Sequence, residues 1–165
     1  MAEKIKVELE GVPGTLLWNL YHRAAEARRP GTLLEDPRAI ELVDAIDFPF
    51  ERFGEPTMAQ WHALRVLTFD AAIRRFLAAH PGGTVVALGE GLETGFWRVD
   101  DGRVRWLTVD LHETVEVRRR MLPDDRARIG SFANEIRREA QDRVPGCEVV
   151  AYADLLARAK TNAAA

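Results

Sequence analysis

The residues best placed to do chemistry lie in VVALGEGLETGFWR, residues 85–98, where an apolar run enters Gly89-Glu90-Gly91 and leaves through Glu93 into a helix-like segment. A glycine turn between a buried strand and a helix lies at the carboxyl edge of a parallel sheet. Open α/β folds bind ligands at that edge, and glycine lets a ligand approach the backbone closely. Gly89 and Gly91 therefore mark a candidate site. Two nucleotide patterns fail here. No Gly-Lys-Ser/Thr follows, and the third glycine of the dinucleotide pattern would fall at Thr94, the next glycine being Gly95. Glu90 and Glu93 also oppose a diphosphate, because they carry negative charge to the place it would occupy and already use the positive end of the helix dipole. A ligand with cationic groups suits the turn better. Asp110, 21 residues after Gly89, ends the next apolar run, VRWLTVDL, in the place where an acid accepts hydrogen bonds from both hydroxyls of a ribose. Adenosine joined to a cation describes S-adenosylmethionine. The plainer alternatives are a tight turn without a ligand and, at Asp110, a helix cap for the stretch that begins at Glu113.

These residues need elements to hold them. Periodicity predicts helices over 15–29, with Leu17, Leu20, Tyr21 and Ala24 on one face, and over 37–47, entered through Asp36-Pro37. Phe48, Phe50 and Phe53 fall in a loop and are expected to plug the core. Thr57 and Gln60 form a capping-box pattern ahead of a long helix, 58–79, whose Trp61, Phe69, Ile73, Phe76 and Leu77 recur at helical spacing. After Gly83 the pattern changes to strands at 84–88 and 104–111 around a helical start, a β-α-β unit in which the two strands should be parallel neighbours. A helix from Glu113 to about Leu122, another from about Asp125 to Arg143 and a third strand at 147–153 complete the reading. Strands separated by helices predict an α/β fold with a parallel sheet, in which residues 1–80 form a helical cap region and 81–165 the ligand-binding region of one compact unit.

Composition limits the partners. A chain of 165 residues with 47% hydrophobic residues can bury a core, and a net charge of −3 leaves no electrostatic footprint for nucleic acid. The N-terminal MAEKIKVELEG alternates charged and apolar residues, unlike a secretory signal or a membrane span, so a cytoplasmic protein with no membrane partner is expected. Cys147 is the single cysteine, which excludes an internal disulfide and a cysteine-based zinc cluster; no metal site is expected, and Cys147 reads as a small core residue. Among His22, His62, His80 and His112 only His112 lies at the mouth of the site, and it reads as a solvated loop residue. Arg118-Arg119-Arg120 reads as a solvated helix face.

ALGEGLETGFWR with VRWLTVDLHETVEVRR, together with LYHRAAEARRPGTLLEDPRAIELV and ALRVLTFDAAIRRF upstream, resembles the leucine carboxyl methyltransferase family, especially its bacterial polyketide-type O-methyltransferase branch. The resemblance covers roughly residues 7–122. It implies a partial Rossmann-like class I methyltransferase fold with an N-terminal helical cap, which binds S-adenosylmethionine and methylates a carboxylate or hydroxyl of a small-molecule acceptor. It also implies roles for single residues. Gly89, Glu90 and Gly91 match the cofactor loop, Asp110 the ribose-binding acid and Arg65 the arginine that holds the cofactor's methionine carboxylate. Arg23 matches an arginine on the substrate side. The chain departs from the family at Glu93-Thr94-Gly95, where Asp-Thr-Arg is common, at Leu67, where a second arginine is common, and at His112, where proline is common. Residues 126–165 read as unlike the family's continuation. That leaves two expectations, an O-methyltransferase in shortened form or an inactive remnant serving as a binding module, with self-association through an exposed sheet edge.

Overall fold

The computed structural model of the protein describes residues 4–7, 15–122 and 129–132. Helix α1 (Thr15–Ala27) buries Leu16, Leu17, Leu20 and Ala24, the apolar positions that recur every three or four residues. Helix α2 (Pro37–Ala45) starts as its sequence dictates, with the Asp36 side chain accepting the Ala39 N–H at 3.1 Å and proline in the first turn. It stops two residues short of the expected end. Ile46–Asp47 instead form a strand, β2, that pairs in parallel with β1 (Ile5–Lys6), and this pairing buries the β-branched Ile46 completely. Phe50–Phe53 make a 3-10 turn in which Phe50 is buried and Phe48 and Phe53 pack against the same core.

Helix α3 (Ala59–Ala79) corrects two expectations. Its N-cap is Met58 and makes no side-chain capping bond, so the Thr57–Gln60 capping box does not form. Its apolar stripe is split: Trp61, Phe69 and Phe76 are exposed, as is Leu64, whereas Leu77 is buried with Ile73 packed beside it, and Ala59, His62, Ala63, Val66 and Asp70 are buried as well. The helix is apolar nearly all round, and the side that turns inward is the one whose small residues admit α1 closely and whose Asp70 can meet an arginine.

Strands β3 (Thr84–Leu88) and β4 (Arg105–Val109) are parallel neighbours, in register from Thr84 opposite Arg105 to Leu88 opposite Val109, as the β-α-β pattern predicts. The short helix α4 (Gly95–Val99) lies in the connection, and α5 (His112–Met121) follows β4. Leu77, Phe96, Val99, Val104 and Trp106 form the core between α3, α4 and the sheet. A further strand, β5 (Ile129–Phe132), pairs in parallel with β4 to give the order β3-β4-β5. This stretch lies inside the helix expected over 125–143. Its Gly130 and Ser131 are weak helix formers, and the open edge of β4 offers a row of N–H and C=O groups that outweighs the charge periodicity. The strand expected at 147–153 lies outside the described residues. Among those described, the architecture is mixed α/β with small parallel sheets, and no helix is long and apolar enough to cross a membrane.

His62 sits at the α1–α3 contact, ringed by Trp18 at 4.9 Å, Trp61 at 5.0 Å and His22 at 5.3 Å between ring centroids. Among the described residues neither ring nitrogen has a hydrogen-bond partner, and burial, reinforced by the charges of Arg65, His22 and Arg23, pushes its pKa down from 6.5 to about 4. The unfolded chain therefore takes up a proton near pH 6.5 that the fold refuses until about pH 4, so stability falls as pH drops through that window. Urea unfolding at pH 7, 6, 5 and 4 should show a shallower loss in His62→Phe than in the parent chain; identical pH profiles would remove His62 from the account.

Candidate functional site

A cavity of about 640 Å³ opens at the carboxyl edge of β3 and β4, and all six residues singled out from the sequence line it: Arg23, Arg65, Gly89, Glu90, Gly91 and Asp110. The turn after β3 is shaped by its glycines. Gly89 has φ 61° and faces open space, so any atom placed beside it has free approach to the backbone. Gly91 has φ 59°, and a Cβ there would come within 3.1 Å of the Leu16 side chain, so glycine is needed both for the turn and for its seat on α1. Gly89 N–H donates to the Val109 carbonyl at 2.8 Å, which ties the start of the turn to the end of β4.

Asp110 is joined to the same turn. Its Oδ2 accepts the Gly91 N–H at 2.7 Å and its Oδ1 the Leu111 N–H at 2.8 Å. The N-cap of α5 is Leu111, so Asp110 does not act as the side-chain cap of that helix. Each carboxylate oxygen accepts one backbone bond and keeps capacity for another, directed by two fixed donors.

The two glutamates of the turn play different parts. Glu90 is buried beneath it, where Oε2 accepts from Trp106 Nε1 at 3.2 Å and Thr108 Oγ1 at 2.6 Å, and Oε1 lies 3.2 Å from Arg118. Burial raises its pKa, against the pull of Arg118, Thr108 and Trp106 toward the charged form. Glu90 thus serves as an internal strut of the site rather than as charge presented to a ligand. Arg118 is its counterpart. It is 2% exposed and donates to the carbonyls of Gly91 at 2.9 Å and Glu93 at 2.7 Å. This corrects the reading of Arg118-Arg119-Arg120 as a solvated face for Arg118; the reading holds for Arg119, exposed beside Glu116, and for Arg120, which is also exposed. A buried acid needs a buried base, and α5 supplies it from the one position of the run that turns inward.

Glu93 faces the cavity within a cluster of arginines. Its Oε1 is 3.1 Å from Arg23 Nε and 4.0 Å from Arg65, and its Oε2 is 3.5 Å from Arg98. Arg23 spends its other nitrogens on Asp36 at 2.8 Å, Thr94 at 3.1 Å and the Leu92 carbonyl at 2.8 Å. It lines the cavity while fastening the turn to α2. Arg98 joins Asp36 at 2.9 Å and Asp70 at 2.8 Å, and although burial opposes its charge, Asp70, Asp36 and Glu93 together raise its pKa. Asp36, Asp70, Thr94, Arg98 and Arg118 were not among the residues expected from the sequence. Their signal was the pairing itself, and the partners of Arg98, Asp70 and Asp36, lie 28 and 62 residues away and leave no local pattern.

The sequence model of the leucine carboxyl methyltransferase family matches residues 17–151. The match extends past residue 122 and corrects the expectation that the resemblance ends there. Tetracenomycin polyketide synthesis O-methyltransferase TcmP of Streptomyces glaucescens is 36% identical over 124 residues, which are 72% of this chain and 44% of that protein. S-adenosyl-L-methionine-dependent methyltransferase dpfgK of Gibberella zeae is 26% identical over 142 residues, 79% of this chain and 47% of that protein. The chain spans less than half the length of these curated relatives.

Removing Arg118 should strand Glu90 as a buried, uncompensated carboxylate. Arg118→Met is expected to lose about 3–5 kcal/mol in denaturant unfolding, the range for breaking one partner of a buried pair, whereas Arg119→Ala should change stability by less than about 0.5 kcal/mol. Equal, small effects for both would return Arg118 to the solvent-facing role.

Proposed function

Because the chain belongs to the leucine carboxyl methyltransferase family, we propose that its cavity binds S-adenosylmethionine and that the protein serves methyl transfer to a carboxylate or hydroxyl oxygen of a small-molecule acceptor. In this reading the β3-β4-β5 sheet is the first part of a Rossmann-like methyltransferase fold, and α1 to α3 are its helical cap. The observation that carries the proposal is Asp110, a carboxylate at the end of β4 whose two oxygens are aimed by the Gly91 and Leu111 N–H groups beside an open glycine turn. That arrangement suits the two hydroxyls of a ribose. The remaining lining fits the other parts of the cofactor: Gly89 leaves room for close approach, and Arg65, at the same cavity, offers a cation for a carboxylate.

When bound, the cofactor supplies a methyl group activated by its sulfonium. The protein's part is to hold and orient, because displacement at that methyl needs alignment and exclusion of water more than it needs a nucleophilic side chain. The buried struts Glu90–Arg118 and Asp36–Arg98 fix the turn before any ligand arrives. A second reading, a binding module without turnover, is favoured by Val86 and Leu88, which line the same cavity and remain 50% and 73% exposed. The two readings share the cofactor site and differ in whether an acceptor is aligned there.

Calorimetric titration with S-adenosylhomocysteine tests the site without an acceptor. Asp110→Ala should weaken binding by roughly 1.5–3 kcal/mol, the scale of hydrogen bonds to a charged group. Unchanged affinity in a folded variant would remove Asp110 from the ligand and withdraw the proposal's main support. A labelled-methyl assay against small carboxylic acids and phenols then separates the two readings, and the exposed strand residues lead us to expect little or no turnover by this chain alone.

A further inference from the structure

We propose that β3 is the contact strand of a homodimer: two copies of this chain pair β3 with β3 antiparallel about a twofold axis, and the second copy supplies a wall over the apolar lining of the cavity. The inference concerns a surface and does not depend on which ligand the cavity takes.

Among the described residues β3 stands at the edge of its sheet, with β4 on one side and no strand on the other. An edge strand offers a row of unpaired N–H and C=O groups, and strands that stay single are defended by charge, proline or a bulge. Thr84–Leu88 reads TVVAL, pairs with β4 in unbroken register and has none of these defences. Its outward side chains are apolar as well. Val86 is 50% and Leu88 73% exposed, whereas Val85 and Ala87, on the opposite face, pack against the core.

Helix α3 lengthens this surface. Phe76 lies at the start of the strand, where a Cβ on Gly83 would fall 2.7 Å from its ring, and Phe69 lies in the cavity with Val86 and Leu88. With exposures of 54%, 61% and 40%, Trp61, Phe69 and Phe76 alone present roughly 300 Å² of apolar surface on each copy, at about 200 Å² for an aromatic side chain. Counted on two copies and joined by Leu64, Val86 and Leu88, the area approaches the roughly 1,000 Å² of a specific interface.

The strand also selects its occupant. TVVAL presents no charge for an unlike partner to read, but it matches itself. A twofold axis at Val86 sets Val86 opposite the partner's Val86 and Thr84 opposite the partner's Leu88, with all of these side chains on one face. Such a contact is closed, because the same patch serves both copies. It brings the second copy over Val86 and Leu88, so the cavity gains from its partner the cover that no described element of one chain provides.

The test is sedimentation equilibrium on the full chain, which should show a monomer–dimer equilibrium with no larger species. Val86→Lys should raise the dimer dissociation constant by about a hundredfold while circular dichroism stays unchanged, since it sets two ammonium groups opposite each other in an apolar contact. A crosslink reads the register. Opposite residues of an antiparallel pair bring their Cβ atoms to about 4.5–5.5 Å, close to disulfide reach, so Val86→Cys in a Cys147→Ser chain should form an intermolecular disulfide on mild oxidation. Arg119→Cys in the same background, exposed on α5, should not. A chain that stays monomeric up to its solubility limit overturns the proposal, and so does open-ended growth, which would mean pairing of unlike edges. A dimer that tolerates Val86→Lys overturns it as well. Should Val86→Lys fail to fold, the crosslink decides: no disulfide dimer at Val86→Cys, or as much at Arg119→Cys, removes β3 from the contact.

Discussion

Asp36 is the buried charge around which the cavity is organised. Its side chain is 1% exposed, and a carboxylate so placed must have its lone pairs answered or it destabilises the fold by several kcal/mol. Four groups answer it: the Ala39 N–H, Arg23, Arg98 and the Thr94 hydroxyl. They come from α2 itself, from α1, from α4 and from the residue just before α4. One side chain therefore caps a helix and also fixes where the glycine turn stands relative to the helical region. Arg98 extends the tie to α3 through Asp70. Such a cluster contributes little net free energy compared with a well-packed apolar core, because desolvation offsets most of the attraction, but it admits few alternative registers.

Glu90 and Arg118 fasten the same turn from below. Arg118 reaches the carbonyls of Gly91 and Glu93, and Glu90 reaches β4 through Trp106 and Thr108. The turn is thus held by backbone and side-chain bonds on two sides, with Gly89 open on the third. What the lining leaves open is narrow: the second lone pairs of Asp110, the open face of Gly89 and the partly exposed Arg65, the groups that the proposed cofactor would meet. A site whose supports are rigid and whose recognition groups are few loses little conformational freedom on binding.

Local rules made much of this legible. The β-α-β unit, the glycine turn and Asp110 at the end of β4 follow from apolar runs broken by glycine and closed by an acid, and the structure brings these residues to one cavity. The boundaries failed where tertiary pairing overruled a local pattern. Ile46 left its helix to pair with Ile5, and Ile129–Phe132 left a charged helical pattern to pair with β4. The face of α3 failed for another reason. Periodicity identifies an apolar stripe but not which of two stripes is buried, and on α3 the choice was set by Asp70 and its bond to Arg98, 28 residues away. The same non-local pairing hid Arg118, which looks like any other member of an arginine run until Glu90 is seen beneath the turn.

Polar and apolar side chains share the lining of the cavity, and they are unequally supported. Asp110 is aimed by two backbone donors and Glu90 is paired with Arg118. Phe69, Val86 and Leu88 are 61%, 50% and 73% exposed, and no described element covers them. On the proposed reading, holding a cofactor would call on the polar groups. Aligning an acceptor oxygen in line with a methyl group would call on walls over the apolar ones, where most of the rate advantage of such a displacement originates. The curated relatives are more than twice as long as the region they share with this chain. On the proposed reading, the groups that would meet the cofactor and hold its turn lie at Arg65 and between residues 84 and 118, and the exposed apolar lining is where alignment of an acceptor would have to be built.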